Sequence, residues 1–146
     1  MNHHRHVIRE ALVAALKAAN TAAGQRVYDN PTQPRVGWPA ISVFDESEDQ
    51  QAATMPGGSA RTVRRSFVLQ AHAEVQAVGT YARQRDQLCA DIEAVAATLQ
   101  IAGVKAIEPA GWAPDLSAES DRPIAIGRQR LLVTYLTPQG NPATTY

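Results

Sequence analysis

The sequence is poor in several kinds of residue that mark specialised proteins. It has one cysteine, two lysines against twelve arginines, and 5% aromatic residues, while 14 basic and 14 acidic residues give a formal net charge of +0. A single cysteine cannot close an internal disulfide or build a cysteine-rich zinc site. Balanced charge disfavours a surface for nucleic acid or acidic lipid, because such surfaces need clustered, uncompensated basic residues.

The apolar runs are too short for a membrane span or for the core of a signal peptide. We therefore expect a soluble protein made in a cytoplasm, with no membrane partner and no specific nucleic-acid binding. The 146 residues, 45% of them hydrophobic, suffice for one domain with its own core. We predict that this domain covers residues 1–137 and that residues 138–146, which lack periodicity, form a flexible C-terminal tail.

Two segments show the three- and four-residue apolar spacing of amphipathic helices. The first covers residues 4 to about 23 and is followed by Gly24, which can adopt the left-handed conformation of a C-cap. The second covers about 81 to 100 and is preceded by Thr80, a candidate N-cap. Each would bury one stripe against a sheet.

The clearest strand covers residues 63–75, where apolar and polar side chains alternate. It is predicted to pair antiparallel with the preceding strand, and Gly127 is predicted to mark a bulge or a bend in the last one. The other predicted strands cover residues 26–28, 40–44, 104–108 and 124–136, and the predicted loops cover 45–60 and 109–122. This order predicts an α+β fold, a mostly antiparallel mixed sheet of four to five strands with two helices packed on one face.

Residues that could carry chemistry do not form a recognisable motif. They are His3, His4, His6, His72, Cys89 and the pair Gly57-Gly58. The three N-terminal histidines have no neighbours to orient their rings, and no base is placed beside the thiol. The glycine pair is not followed by the Lys-Ser/Thr of a phosphate-binding loop. We therefore predict no enzyme activity, no cofactor and no metal.

Two clusters of opposite charge flank the loop between the second and third predicted strands. The acidic cluster is Asp45, Glu46, Glu48 and Asp49, and the basic cluster is Arg61, Arg64 and Arg65. We expect these residues to lie largely exposed at the rim of the hairpin in a monomer. Arginine favours bidentate pairs at interfaces, so we predict that they contact a neighbouring subunit or a tube. One alternative is a solvated run of charge. The other is that the clusters form intrachain cross-strand pairs, with the interface on helix two around Arg83, Asp86 and Glu93. We also predict that residues 50–60 are mobile until assembly orders them.

Several segments together carry a family resemblance. The sequence has a short amphipathic N-terminal helix, a Tyr28-Asp29 turn and a proline-led Pro39-Ala40-Ile41-Ser42-Val43 strand before an acidic stretch. A later helix over 83–99 precedes a strand that ends in Val133-Thr134-Tyr135. Over about residues 5–137 this arrangement resembles bacteriophage tail terminators, the family of minor tail protein U.

The resemblance implies a structural protein of the virion tail. Subunits would form a ring, taken to be a hexamer, that caps the tail tube, ends its polymerisation and offers a docking surface for the head. The implied partners are other copies of the chain, the tail tube protein and a head completion or connector protein. The implied location is the head-proximal end of the tail, after synthesis in the bacterial host cytoplasm. The alternatives are another head–tail connector, or a small-molecule-binding or enzymatic α+β domain.

Overall fold

The computed structural model describes residues 3–33, 35–53, 61–117 and 123–146. Its elements follow the predicted order of helices and strands, so the α+β prediction is confirmed. The elements are α1 (His4–Ala18), β1 (Val27–Asp29), β2 (Ala40–Ala53), β3 (Thr62–Gln76), α2 (Tyr81–Thr98), β4 (Val104–Ser117) and β5 (Ile124–Pro138).

The five strands form one mixed sheet in the order β1-β2-β3-β5-β4. Only the β1–β2 pair is parallel, and the other three pairs are antiparallel. The predicted pairing of β2 with β3 is confirmed. Strand β5 lies beside β3, so the chain from β3 through α2 and β4 returns to the middle of the sheet. This leaves β1 and β4 at opposite edges.

The core lies between the two helices and one face of the sheet. Helix α1 buries Ile8, Leu12 and Leu16, while α2 buries Leu88 and Ile92. These side chains belong to one cluster with alternate residues of the central strands, Phe67, Leu69, Ala71, Ala73, Val75, Leu131 and Val133. Each fully buried large side chain contributes about 1.5–3 kcal/mol, so this single layer of contacts holds the helices to the sheet.

The helix ends differ modestly from the predicted ones. Helix α1 ends at Ala18, five residues before the predicted end at about residue 23, because Asn20 adopts a left-handed backbone conformation (φ 53°). Gly24 (φ 58°) instead shapes the next turn, where its N–H donates to the Thr21 carbonyl. Thr80 precedes α2 as predicted, but it caps with its carbonyl and not with its side chain.

Strands β2 and β4 are much longer than predicted. Strand β2 continues through the acidic cluster to Ala53, and β4 continues to Ser117 through residues that were predicted to form a loop. The ladder tolerates a register shift between Asp45 and Ser47 in β2, and two shifts in β4, between Val104 and Ala106 and between Pro109 and Trp112. Their long partners supply backbone hydrogen bonds that outweigh unfavourable local composition.

Gly127 does not form the predicted bulge, since its pairing with both neighbouring strands is regular. Its role is close packing of α2 on the sheet. A Cβ at this position would lie 2.6 Å from Cys89 Sγ, 3.1 Å from Trp112 Nε1 and 3.2 Å from Arg85 Cγ. The helix can approach this closely only because residue 127 has no side chain.

The C-terminal segment lies back against the body of the protein. The His4 N–H donates to the Pro142 carbonyl at 3.0 Å, and the Tyr146 N–H donates to the Leu136 carbonyl at 3.1 Å. Whether residues 138–146 move in solution stays a prediction. Residues 54–60, most of the loop predicted to order on assembly, lie outside the described residues. Neither helix within the described ranges is long and apolar enough to cross a membrane.

Candidate functional site

Glu48 and Arg65, one from each predicted charge cluster, form an ion pair inside the chain. The register shift after Asp45 turns Glu48 onto the helix-bearing face, opposite Phe67. Its side chain is 3% exposed and its Oε2 accepts hydrogen bonds from Arg65 at 2.9 Å and from Arg5 of α1 at 3.1 Å. The expectation that these two residues are exposed at a rim is therefore wrong.

This buried pair belongs to a larger polar cluster under the first turn of α1. Tyr135 donates its hydroxyl proton to Glu48, and Arg65 also donates from Nε to the Thr137 hydroxyl at 2.9 Å. Burial opposes ionisation of Glu48, but the hydrogen bonds and nearby arginine charges outweigh it and hold its pKa below the ordinary value. Burial, together with the carboxylate, raises the pKa of Tyr135. Glu48 is therefore ionised at neutral pH while Tyr135 keeps its proton, and the cluster joins α1 to the sheet.

Two further acidic residues are also paired within the chain, but with arginines outside the predicted basic cluster. Asp45 accepts from Arg9 of α1 at 3.1 Å, and Glu46 accepts from Arg130 of β5 at 2.6 Å. The hydrogen bonds from Arg130 lower the pKa of Glu46. These exposed pairs contribute little to stability. They do compensate the negative charges of Asp45 and Glu46 within the chain.

Three members of the two clusters remain exposed and form no ion pair among the residues that the structure describes. They are Asp49 in β2, Arg61 just before β3 and Arg64 in β3. Their exposure leaves the prediction that they contact another subunit untested. Whether any of the seven predicted residues contacts another subunit stays a prediction, although Glu48 and Arg65 are buried in this chain.

A shallow cleft of about 320 Å³ lies between α2 and edge strand β4. Trp112 forms one wall and donates its indole N–H to Cys89 Sγ at 3.3 Å, while the Arg85 guanidinium lies 5.2 Å from the centre of the indole ring. Burial raises the pKa of the Cys89 thiol, which keeps it protonated. The cleft is lined by Asp86, Cys89, Ala90, Glu93, Trp112 and Gln129.

Gln129 is 2% exposed, and its amide is only half satisfied. Its Nε2 donates to the carbonyls of Gly111 at 3.3 Å and Arg130 at 3.2 Å, whereas Oε1 accepts no hydrogen bond from the described part of the chain. A buried acceptor without a donor costs about 1–3 kcal/mol. The Gln129 oxygen is itself buried, so this cost falls inside the wall of the cleft and not on its open surface.

Apolar side chains continue the cleft along β4. Trp112 and Leu116 lie on the same face of the strand, four residues apart, and are 44% and 56% exposed. Large exposed apolar groups beside a groove are typical of contact surfaces. Local composition predicts a loop at both residues, so this surface was not expected from the sequence. The signal was present as apolar residues at alternate positions, Trp112, Pro114 and Leu116.

The remaining candidate ligands do not come together. Across the described ranges, no group of three or more His, Cys, Asp and Glu residues could hold a metal ion. His72 lies on the sheet face opposite the helices, where its Nε2 donates to Gln70 Oε1 at 2.8 Å. Burial and the charge of Arg128 lower the pKa of His72 to about 4, so its ring is neutral at physiological pH.

Comparison with known proteins gives a likeness of fold. No family model and no curated protein matches the sequence. Among solved structures, the chain is similar to one from the virion of a native gene transfer agent particle, with 16% sequence identity and a TM-score of 0.56. The match covers 87% of this chain and 94% of the other. The whole α+β arrangement, and not a fragment of it, therefore occurs in a virion component.

Proposed function

We propose that this protein is a structural component of a phage-like virion. The observation that carries the proposal is the fold likeness to a virion chain over nearly the full length of both proteins. A shared fold alone allows many functions, so the family resemblance of the sequence supplies the second support. The proposal assigns no catalytic activity to the chain.

We further propose the specific role of a tail terminator. Copies of the chain form a ring, taken to be a hexamer, at the head-proximal end of the tail, where it caps the tube of tail tube protein. Its outer surface receives a head completion or connector protein. The segments that support this role are the proline-led strand at Pro39–Val43 and the C-terminal Val133-Thr134-Tyr135 step.

The sheet offers contact surfaces suited to such a ring. Strand β1 covers only Ile41, Ser42 and Val43 of β2, so the outer edge of β2 from Asp45 onward has no neighbouring strand in the described part of the chain. Strand β4 is the opposite edge. A closed ring requires two different patches on each subunit, and surfaces at opposite edges of one sheet meet that requirement.

The ring can be tested with purified protein. Size-exclusion chromatography with light scattering over a wide concentration range, followed by negative-stain microscopy, should show rings. If the protein is monomeric throughout and does not bind the tail tubes of its own phage, the ring proposal is wrong.

The finer role is tested by tube growth. Tube protein from the same genome is polymerised with and without the chain, and tube lengths are measured by electron microscopy. A terminator shortens the tubes and is found at one end only. The alternative, another head–tail connector, is supported by the same fold likeness. It predicts binding to assembled heads or tails with no change in tube length.

A further inference from the structure

We propose that residues 141–146 of one copy of the chain dock, on assembly, at the place that the same residues occupy within a single chain, but on a neighbouring copy. This inference rests on the proposed function, because exchange of a segment requires that copies assemble. The hinge is the turn at residues 138–141. Each copy has one segment to give and one site to fill, so exchange can link copies head to tail in a ring.

The docking site lies between the first turn of α1 and the end of β5. The backbone N–H of His4 donates to the Pro142 carbonyl at 3.0 Å, and the N–H of Tyr146 donates to the Leu136 carbonyl at 3.1 Å. Strand β4 pairs with β5 only as far as Tyr135. The segment therefore takes the position beside β5 that β4 leaves open.

The segment fits this site closely, and the fit depends on a glycine. Gly103, in the turn before β4, has a positive φ of 83°, and a Cβ at this position would overlap the hydroxyl and the Cβ of Thr145. The segment can seat there only because residue 103 has no side chain. An identical segment from another copy would meet the same backbone partners and the same close approach.

The hinge is a turn that one residue holds closed. Asn141 donates its N–H to the Pro138 carbonyl at 3.1 Å, Gly140 has a φ of 81°, and Gln139 has a negative φ. This is a type II turn, in which the residue before the glycine already has an extended backbone. Asn141 is also held extended, because the residue before a proline disfavours the helical conformation. Rotation of Gly140 to an extended conformation therefore opens the hinge.

The closed hinge carries a cost that exchange removes. The side-chain oxygen of Asn141 is buried and accepts no hydrogen bond from the part of the chain that the structure describes. Such an acceptor is destabilising, whereas in an extended hinge between two copies it can bind water. The docked segment makes the same contacts before and after exchange, so the hinge decides between the two forms. Three extended hinge residues span about 10 Å, so the neighbouring site must lie directly beyond β5.

Gly140→Ala tests the hinge against a matched control. Alanine is strained at a positive φ, so the closed turn is destabilised and the extended hinge is not. Gly140→Ala should lower the concentration needed for assembly by roughly 5- to 30-fold, measured by light scattering and sedimentation velocity. Gly24→Ala is the control, because Gly24 has a φ of 58° and, like Gly140, has open space around a Cβ among the described residues. It should weaken the fold without changing assembly.

Crosslinking gives the decisive result. Chains with Leu136→Cys are mixed with chains with Tyr146→Cys, both carrying Cys89→Ala, and the assembled mixture is treated with a short bis-maleimide. Exchange brings the two thiols together from different chains, so a covalent pair containing one chain of each kind should form. Without exchange, each thiol lies beside an unmodified residue of its own chain. A chain with both cysteines, kept dilute and monomeric, should crosslink internally and is the positive control.

The outcomes separate exchange from the proposed function. If the wild-type chain forms rings and the mixed rings give no crosslink between chains, exchange is wrong and the virion role stands. Exchange is also wrong if Gly140→Ala alters assembly no more than Gly24→Ala does. If the wild-type chain neither assembles nor binds tubes, both the ring proposal and the exchange are wrong.

Discussion

Replacing Glu48 by glutamine removes the anion that two arginines share beneath the first turn of α1. The side chain keeps its size, but Arg65, with 8% of its side chain exposed, loses its counter-charge. Removing one partner of a buried ion pair costs about 3–5 kcal/mol, because the other charge stays desolvated. For a domain of this size each kcal/mol lowers Tm by roughly 2–4 °C, so Glu48→Gln should lower Tm by roughly 10 °C.

The assay is chemical and thermal unfolding followed by circular dichroism, with Asp49→Asn as the control. Asp49 is the neighbouring acid, is exposed, and has no ion pair in the described part of the chain, so its replacement should change stability by no more than about 0.5 kcal/mol. Tyr135→Phe should be intermediate, at about 1 kcal/mol, since it deletes one hydrogen bond and leaves both arginines paired. Equal stability of Glu48→Gln and wild type would refute the buried network.

The pH dependence of Glu48→Gln supplies a second check on the same reasoning. Because the folded-state pKa of Glu48 is lowered, the unfolded chain binds more protons between the two pKa values, and the stabilisation is lost as pH falls through the folded-state pKa. The difference in unfolding free energy between wild type and Glu48→Gln should therefore be constant near neutrality. It should narrow below about pH 4. A difference that grows on acidification would contradict this account.

Three other outcomes follow from packing, burial and exposure. Gly127→Ala should destabilise the fold by about 1–3 kcal/mol, measured by denaturant unfolding. Adding Cys89→Ala to the same chain should recover part of this loss. An unchanged unfolding midpoint for Gly127→Ala would contradict the close packing of α2 on Gly127. The His72 ring should titrate near pH 4 when followed by NMR. Because its folded-state pKa is lowered, His72 should make the fold less stable as the pH falls from 6.5 to about 4, and His72→Gln should remove this loss. A titration midpoint near 6.5 would refute the burial of His72. Arg64→Glu should leave Tm within about 2 °C of wild type, because Arg64 is exposed; a larger fall would indicate an intrachain role.

The sequence by itself determined the kinds of element and the centre of the sheet. The three- and four-residue spacing of Ile8, Leu12 and Leu16 required a helix with one buried stripe, and the alternation around Phe67 and Leu69 required a strand buried on one face. These patterns are local, since each element must bury one face whatever its neighbours are. The α+β architecture follows from their order.

Only the tertiary structure decided where the strands ended and which charges met. The extent of β2 and β4 depends on ladder partners far along the chain, so local composition underestimated both. A one-residue shift at Asp45 turned Glu48 from the surface to the core, because the side chains of a strand alternate between its faces. The cleft at Trp112 and Gln129 arises from the close approach of α2 at Gly127, a contact that no local pattern contains.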